Sequence, residues 1–100
     1  MSRNLLGDTT FSVNATTPEL TSAIKAWKKH IDEAHPLIKD VRCYRYDGGT
    51  TYVWQEGFEN FNDYQALIEQ EDDVCEGVMA EVFKHMVPGT RTGKVWSGVL

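Results

Sequence analysis

The sequence predicts an α+β domain in which an antiparallel sheet carries its helices on one face, in the order β-α-β-β-α(α)-β. Three observations lead to that order. Residues 9–15 set Phe11, Val13 and Ala15 against Thr10, Ser12 and Asn14, the two-residue period of a half-buried strand. Leu20, Ala23, Ile24, Trp27, Ile31 and Ala34 then recur at helical spacing, leaving Lys25, Lys28, Lys29, Asp32 and Glu33 largely outside the stripe. Two β-rich runs, 41–46 and 51–56, flank Asp47-Gly48-Gly49-Thr50, which reads as a hairpin joining adjacent antiparallel strands.

Local signals set the remaining boundaries. The first helix starts either from the capping-box pair Thr16 and Glu19 or from Thr17 with Pro18 at the first helical position, and it ends near His35-Pro36. Asn60 or Asn62 can cap a second helix with apolar positions Phe61, Tyr64, Leu67 and Ile68, before the acidic break at 69–73. Val74, Val78, Val82 and Met86, with Met79 and Phe83 beside them, form a third helical stripe that stops at Pro88-Gly89. Residues 94–100 supply the last strand. One hundred residues leave room for one core, so 9–100 is read as a single domain behind an N-terminal tail at 1–8.

Composition removes several classes of function. Apolar residues at 41% and charged residues at 25% are globular proportions, and no run approaches the roughly 18 to 20 apolar residues of a membrane span. The opening MSRNLLGDTTF lacks the apolar block of a secretory signal, so the expectation is a soluble, cytoplasmic protein with no membrane partner. A net charge of −5 argues against a nucleic-acid partner, which would call for a basic patch. Nine carboxylates run from Glu56 to Glu81, Asp72 and Asp73 among them, with no Lys or Arg between; they read as a solvated helix face, or as one that docks on the Lys25, Lys28 and Lys29 cluster. Cys43 and Cys75 lack both CxxC spacing and the paired ligands of a zinc site, and read as free, packed thiols.

A sheet covered by helices on one side must hide its other side. Phe11, Val13, Val41, Cys43 and Val53, alternating with a set containing Tyr44, Tyr52 and Trp54, leave both faces large or apolar. A homodimer pressing sheet on sheet is the simplest way to cover the bare face.

The run Val53-Trp54-Gln55-Glu56-Gly57-Phe58-Glu59-Asn60-Phe61-Asn62-Asp63-Tyr64, together with the order of elements, resembles the dimeric α/β-barrel superfamily and its antibiotic-biosynthesis-monooxygenase-like branch. Trp54 and the Phe61/Tyr64 pair stand where that family carries a strand-ending Trp and an aromatic pair three apart on a capped helix, with a connection about one residue longer. The resemblance implies a ferredoxin-like fold over 9–100, pairing into an α/β barrel. It implies, as leading activity, a cofactor-independent monooxygenase acting on a small aromatic or polyketide-like substrate in a cleft between sheet and helices. The alternatives are a polyketide cyclase or isomerase, and a non-catalytic ligand-binding or stress-related dimer. Against the haem-degrading branch, Asn14 and Trp54 match two pocket positions, but Met79 falls where that branch has a His and His85 lies further on.

The chemistry-bearing residues follow from this frame. Asn14, a strand-end amide, could orient a substrate carbonyl or phenol, or only shape the turn before the first helix. His30 flanks the apolar stripe as a candidate general base; His85 follows Glu81 by four residues, so a carboxylate could fix its tautomer on a continuous helix. His35 reads as a helix-ending residue. Trp54 reads as a core anchor or a pocket wall, and the phenols of Tyr44, Tyr52 and Tyr64, with Met79, as substrate contacts. His30 and His35, five apart, would diverge by about 140° on one helix, so no metal site is expected.

Overall fold

Four strands and three helices alternate as the hydrophobic periods require, and the computed structural model describes residues 4–99 of them. The elements are β1 (Leu5–Ser12), α1 (Pro18–Ala34), β2 (Ile38–Arg45), β3 (Thr51–Phe58), α2 (Phe61–Glu69), α3 (Asp73–Phe83) and β4 (Thr92–Ser97). The sheet order is β2-β3-β1-β4 with every neighbouring pair antiparallel, the ferredoxin-like arrangement that the element order predicts.

Capping chemistry decides the helix starts. Thr17, in extended conformation, accepts the backbone N–H of Leu20 at 3.1 Å with Pro18 just inside the helix, which settles the choice in favour of the second capping arrangement. Asn60 accepts from the backbone N–H of Asp63 at 2.9 Å, and Asp72 from that of Cys75 at 3.0 Å. The hairpin between β2 and β3 turns through Asp47 and Gly48, both at positive φ (48° and 66°).

Several boundaries differ from the sequence-based expectation, β1 ending at Ser12, β2 starting at Ile38 and β3 running on to Phe58 among them. β1 begins at Leu5, so residues 5–8 belong to the sheet rather than to a tail, and residues 1–3 lie outside the described part. Gly7 broke the alternation that would have announced this stretch. The Tyr64 ring lies over this glycine, and a Cβ there would stand 3.4 Å from that ring, at ordinary van der Waals contact. The expected last strand at 94–100 is shifted to Thr92–Ser97, where it pairs with β1; Leu100 lies outside the described residues. α3 stops at Phe83 rather than Pro88, and Met86 forms an isolated bridge with Val13. Within α3 the inward stripe is Cys75, Val78, Met79, Val82 and Phe83, whereas Val74 is 62% exposed.

The two faces of the sheet also sort differently. The ladder pairs Leu5 with Phe58, Thr9 with Trp54 and Phe11 with Tyr52, so Tyr52 and Trp54 share the helix-facing side with Phe11. Val53, paired with Tyr44, points to the outer face, as does Trp96, paired with Leu6. Alternation divides each strand into two sets but leaves open which set faces inward; only the cross-strand register decides that. The core joins Phe11, Tyr52, Trp54 and Phe58 of the sheet to Leu20, Trp27 and Ile31 of α1 and Val82 of α3. No helix among the described residues is long and apolar enough to cross a membrane.

Candidate functional site

At one end of the interlayer the core opens into a cavity of about 660 Å³ between the sheet and the three helices. Its apolar wall includes Trp27 and Ile31 of α1, Trp54 of β3, Tyr64 and Leu67 of α2 and Met79 of α3. The indoles of Trp27 and Trp54 stack with centroids 3.6 Å apart and planes within 2°. Trp54 is only 2% exposed, so it serves both as core anchor and as cavity wall.

The polar groups gather against this aromatic wall. Glu56 lies two residues after Trp54 and hence on the same face of β3, where it accepts the Trp54 indole N–H at 2.9 Å. Burial raises its carboxyl above the usual glutamate range, partly opposed by the Trp54 hydrogen bond and by His35. On the opposite wall His30 and His35 both place Nε2 on one oxygen of Asp72, at 2.8 and 2.7 Å. The His30 hydrogen bond is the leading cause that holds the Asp72 carboxyl well below the ordinary range, followed by the backbone N–H of Cys75. An ionised carboxylate only accepts, so both imidazoles present Nε2–H to it. Cys75 completes the group; burial and then the Asp72 charge push its thiol up, while the Trp27 indole acts in the opposite direction.

The convergence of the two histidines corrects the expectation that five residues of helix would hold them apart. α1 ends at Ala34, and His35 leaves the helix at φ −126° and ψ 76°, with its N–H still bonded to the Ile31 carbonyl at 3.0 Å. That break swings the second imidazole back beneath the first, ring to ring at 5.5 Å and 77°.

Of the expected site residues, the cavity brings together Trp54, Tyr64 and Met79, and reaches His30 through Asp72. Asn14 is exposed at a bend after β1 and does not line the cavity. His85 sits past the end of α3, so its expected pairing with Glu81 on a continuous helix is replaced by a Glu81 to Lys84 ion pair at 2.7 Å. Tyr52 packs on Phe11 with its hydroxyl hydrogen-bonded to that of Thr16 at 2.8 Å, and Tyr44 is 49% exposed on the outer face. Both line a shallower depression beside the hairpin instead. Glu56, His35 and Asp72 belong to the site although the sequence does not mark them as site residues. Glu56 was legible, because it shares a strand face with Trp54; Asp72 was hidden among the acidic run, and His35 by the assumption that it only finishes a helix.

Solved structures share this architecture from end to end. A candidate antibiotic biosynthesis monooxygenase from Caulobacter crescentus CB15 superposes with a TM-score of 0.77 at 14% identity, covering 98% of this chain and 92% of its own. SnoaB, a cofactor-independent oxygenase from Streptomyces nogalater, gives 0.75 at 11% identity over 96% of this chain and 93% of its own. A monooxygenase from Streptomyces coelicolor, ActVA-Orf6 in complex with nanaomycin D, gives 0.70 at 13% identity over 96% and 88%. The chain has the fold of the antibiotic-biosynthesis-monooxygenase-like, ferredoxin-like proteins. At these identities the likeness is one of fold. No protein-family model and no curated protein matches the sequence.

Proposed function

We propose that the protein is a cofactor-independent monooxygenase-type enzyme acting on a small, flat aromatic or polyketide-like phenol held in the cavity. The observation that carries this reading is Glu56, a carboxyl of raised proton affinity fixed by the Trp54 indole inside an otherwise aromatic wall. A base for a phenol or an activated ring C–H must lie within hydrogen-bond reach and have a proton affinity lifted towards working pH, and burial supplies the second condition. The fold shared with SnoaB supports the choice of reaction class.

In the proposed reaction the stacked indoles of Trp27 and Trp54 hold the ring, and Tyr64 and Met79 close over it. Glu56 takes a proton from the substrate, and the resulting carbanion, stabilised as a phenolate, gives electrons to dioxygen. A C–O bond forms, and the peroxide anion recovers the proton from Glu56. Loss of the second ring C–H proton and departure of the distal oxygen as water then leave a ketone: one CH₂ and one O₂ give one C=O and one H₂O. The base is thus Glu56, with His35 across the cavity, in place of the His30 or His85 suggested by sequence alone.

The reading includes a homodimer. The outer sheet face carries Tyr44, Val53 and Trp96, with Tyr44 49% and Trp96 50% exposed, and packing against a second copy would cover them. Light scattering should give a dimer at micromolar concentration; a stable monomer would remove this part. For the chemistry, oxygen uptake with an anthrone-type phenol should be stoichiometric with product, and Glu56→Gln should lower kcat by about 10² to 10⁴. Full turnover in Glu56→Gln would overturn the assignment of the base, and ligand binding without oxygen uptake would favour a cyclase or a non-catalytic binder.

A further inference from the structure

We infer that His30, His35, Asp72 and Cys75 form a binding site for a divalent transition cation, best suited to Zn²⁺. Their ligand atoms, two imidazole nitrogens, a carboxylate oxygen and a thiol sulfur, all lie within 4.8 Å of one another. Ligands around a tetrahedral zinc, at about 2.0 to 2.3 Å from the metal, stand roughly 3.3 to 3.8 Å apart. His30 and His35 stand 2.8 and 2.7 Å from the Asp72 oxygen, hydrogen-bond separations shorter than those between zinc ligands, so shifts of about 1 Å open the tetrahedron.

The donor set selects the metal. Calcium and magnesium take oxygen ligands, and only one oxygen is offered; imidazole with thiolate suits zinc. The arrangement is also held in place before any ion arrives. His35 is 5% exposed, fixed by its backbone bond to Ile31, and the Asp72 oxygen not used by the histidines accepts the backbone N–H of Cys75. Both imidazoles aim Nε2 at the Asp72 oxygen itself, so a shared cation takes the centre of the group once that oxygen turns aside to become the third ligand. Zinc takes each imidazole as its neutral Nδ1–H tautomer, so the Nε2 hydrogen of a neutral ring moves to Nδ1, and the thiol proton of Cys75 is the one released as Zn²⁺ enters. The ion would join the end of α1 to the start of α3 on the cavity wall, closing the cavity's polar side. The site shares a wall with the cavity of the oxygenase reading, His35, Asp72 and Cys75 lining both, but its test needs no substrate, so its failure and that of the oxygenase reading are distinguishable.

The test titrates the full chain with Zn²⁺ in competition with a chromophoric chelator, and records the visible and near-ultraviolet spectrum with Co²⁺. Expected are one ion per chain, tetrahedral cobalt bands, and a thiolate-to-cobalt charge-transfer band that Cys75→Ser abolishes and Cys43→Ser keeps. His30→Ala and Asp72→Asn should each weaken Zn²⁺ binding by at least about a hundredfold, since even indirect supports of metal ligands cost 10 to 100-fold. Asn remains a good helix cap, so Asp72→Asn removes the charged ligand without removing the start of α3. No binding at micromolar Zn²⁺, or binding that survives these substitutions, would overturn the proposal.

Discussion

The space between sheet and helices has two halves built from the same kinds of residue and finished differently. In the closed half Phe11 meets Tyr52 and Phe83 at 5.8 and 5.4 Å between ring centres, and Leu20 and Val82 are fully buried. In the open half α2 buries no residue completely, Phe61 and Ile68 are 58% and 57% exposed, and the polar groups Glu56, His35 and Asp72 share the cavity with aromatic rings. α1 spans both, placing Leu20 in one and Ile31 in the other. The difference teaches how a chain of this length makes room for chemistry: one half supplies the packing that holds the fold, so the other can leave a void and keep carboxylates partly out of water.

Substitutions in the two halves should therefore have opposite consequences for stability. The largest effect belongs to Phe11→Ala. Its ring is completely buried between Tyr52 and Phe83, and truncation should cost about 3 to 5 kcal/mol, read from urea unfolding. A loss below about 1 kcal/mol would mean that the closed half collapses around the gap and is not the rigid partner assumed above.

The next effect has the opposite sign. Burial raises the Glu56 carboxyl, so its folded-state proton affinity exceeds the unfolded one, and the stability associated with the protonated form is lost as pH rises through the folded value. Glu56→Gln keeps an acceptor for the Trp54 indole and removes the buried charge. The variant should therefore melt higher than the parent at neutral pH, and the gap should close as pH falls below about 4.3, where the carboxyl is neutral in both states. His35, Asp72, Cys75, Arg91 and Lys94 line the same cavity, so the comparison is made at fixed ionic strength. A lower melting point at neutral pH would show that the carboxylate is stabilised by these neighbours and that the open half carries no stability cost.

These two halves were not equally legible in the sequence. The closed half could be read, because Phe11 and Val13 alternate, Leu20 and Val82 sit on helical stripes, and burial rewards such periods directly. The open half depended on features that periodicity does not carry. Gly7 hides the first turn of β1 because it has no side chain to alternate. The inward side of β3 depends on pairing Thr9 with Trp54, a contact 45 residues apart in the chain. The two histidines meet only because the backbone leaves helical geometry at His35, and Asp72 joins them from a segment whose run of acids reads as surface. Asn14 stands out in the sequence as a strand-end amide and His85 by its four-residue spacing from Glu81, whereas the structure groups polar residues by where distant elements cross.

The smallest expected effect on stability tests the open half most directly. Ile68 lies on the rim of the cavity and is more than half exposed, so Ile68→Ala removes little buried surface and should change the unfolding free energy by no more than about 0.5 kcal/mol. An aromatic ligand seated in the cavity would cover that side chain, and losing the contact should cost about 1 kcal/mol of binding, roughly fivefold in Kd. The informative quantity is the ratio of the two changes, measured on the same preparation by urea unfolding and by quenching of tryptophan fluorescence. In the closed half a truncation lowers stability first, and binding only through unfolding. At Ile68 binding should fall while the unfolding curve stays in place, because α2 is held by Asn60 at its start and by Tyr64 over Gly7, not by Ile68. Equal losses in both measurements would place Ile68 in the core and leave α2 as ordinary packing over a void, with no part in holding a ligand.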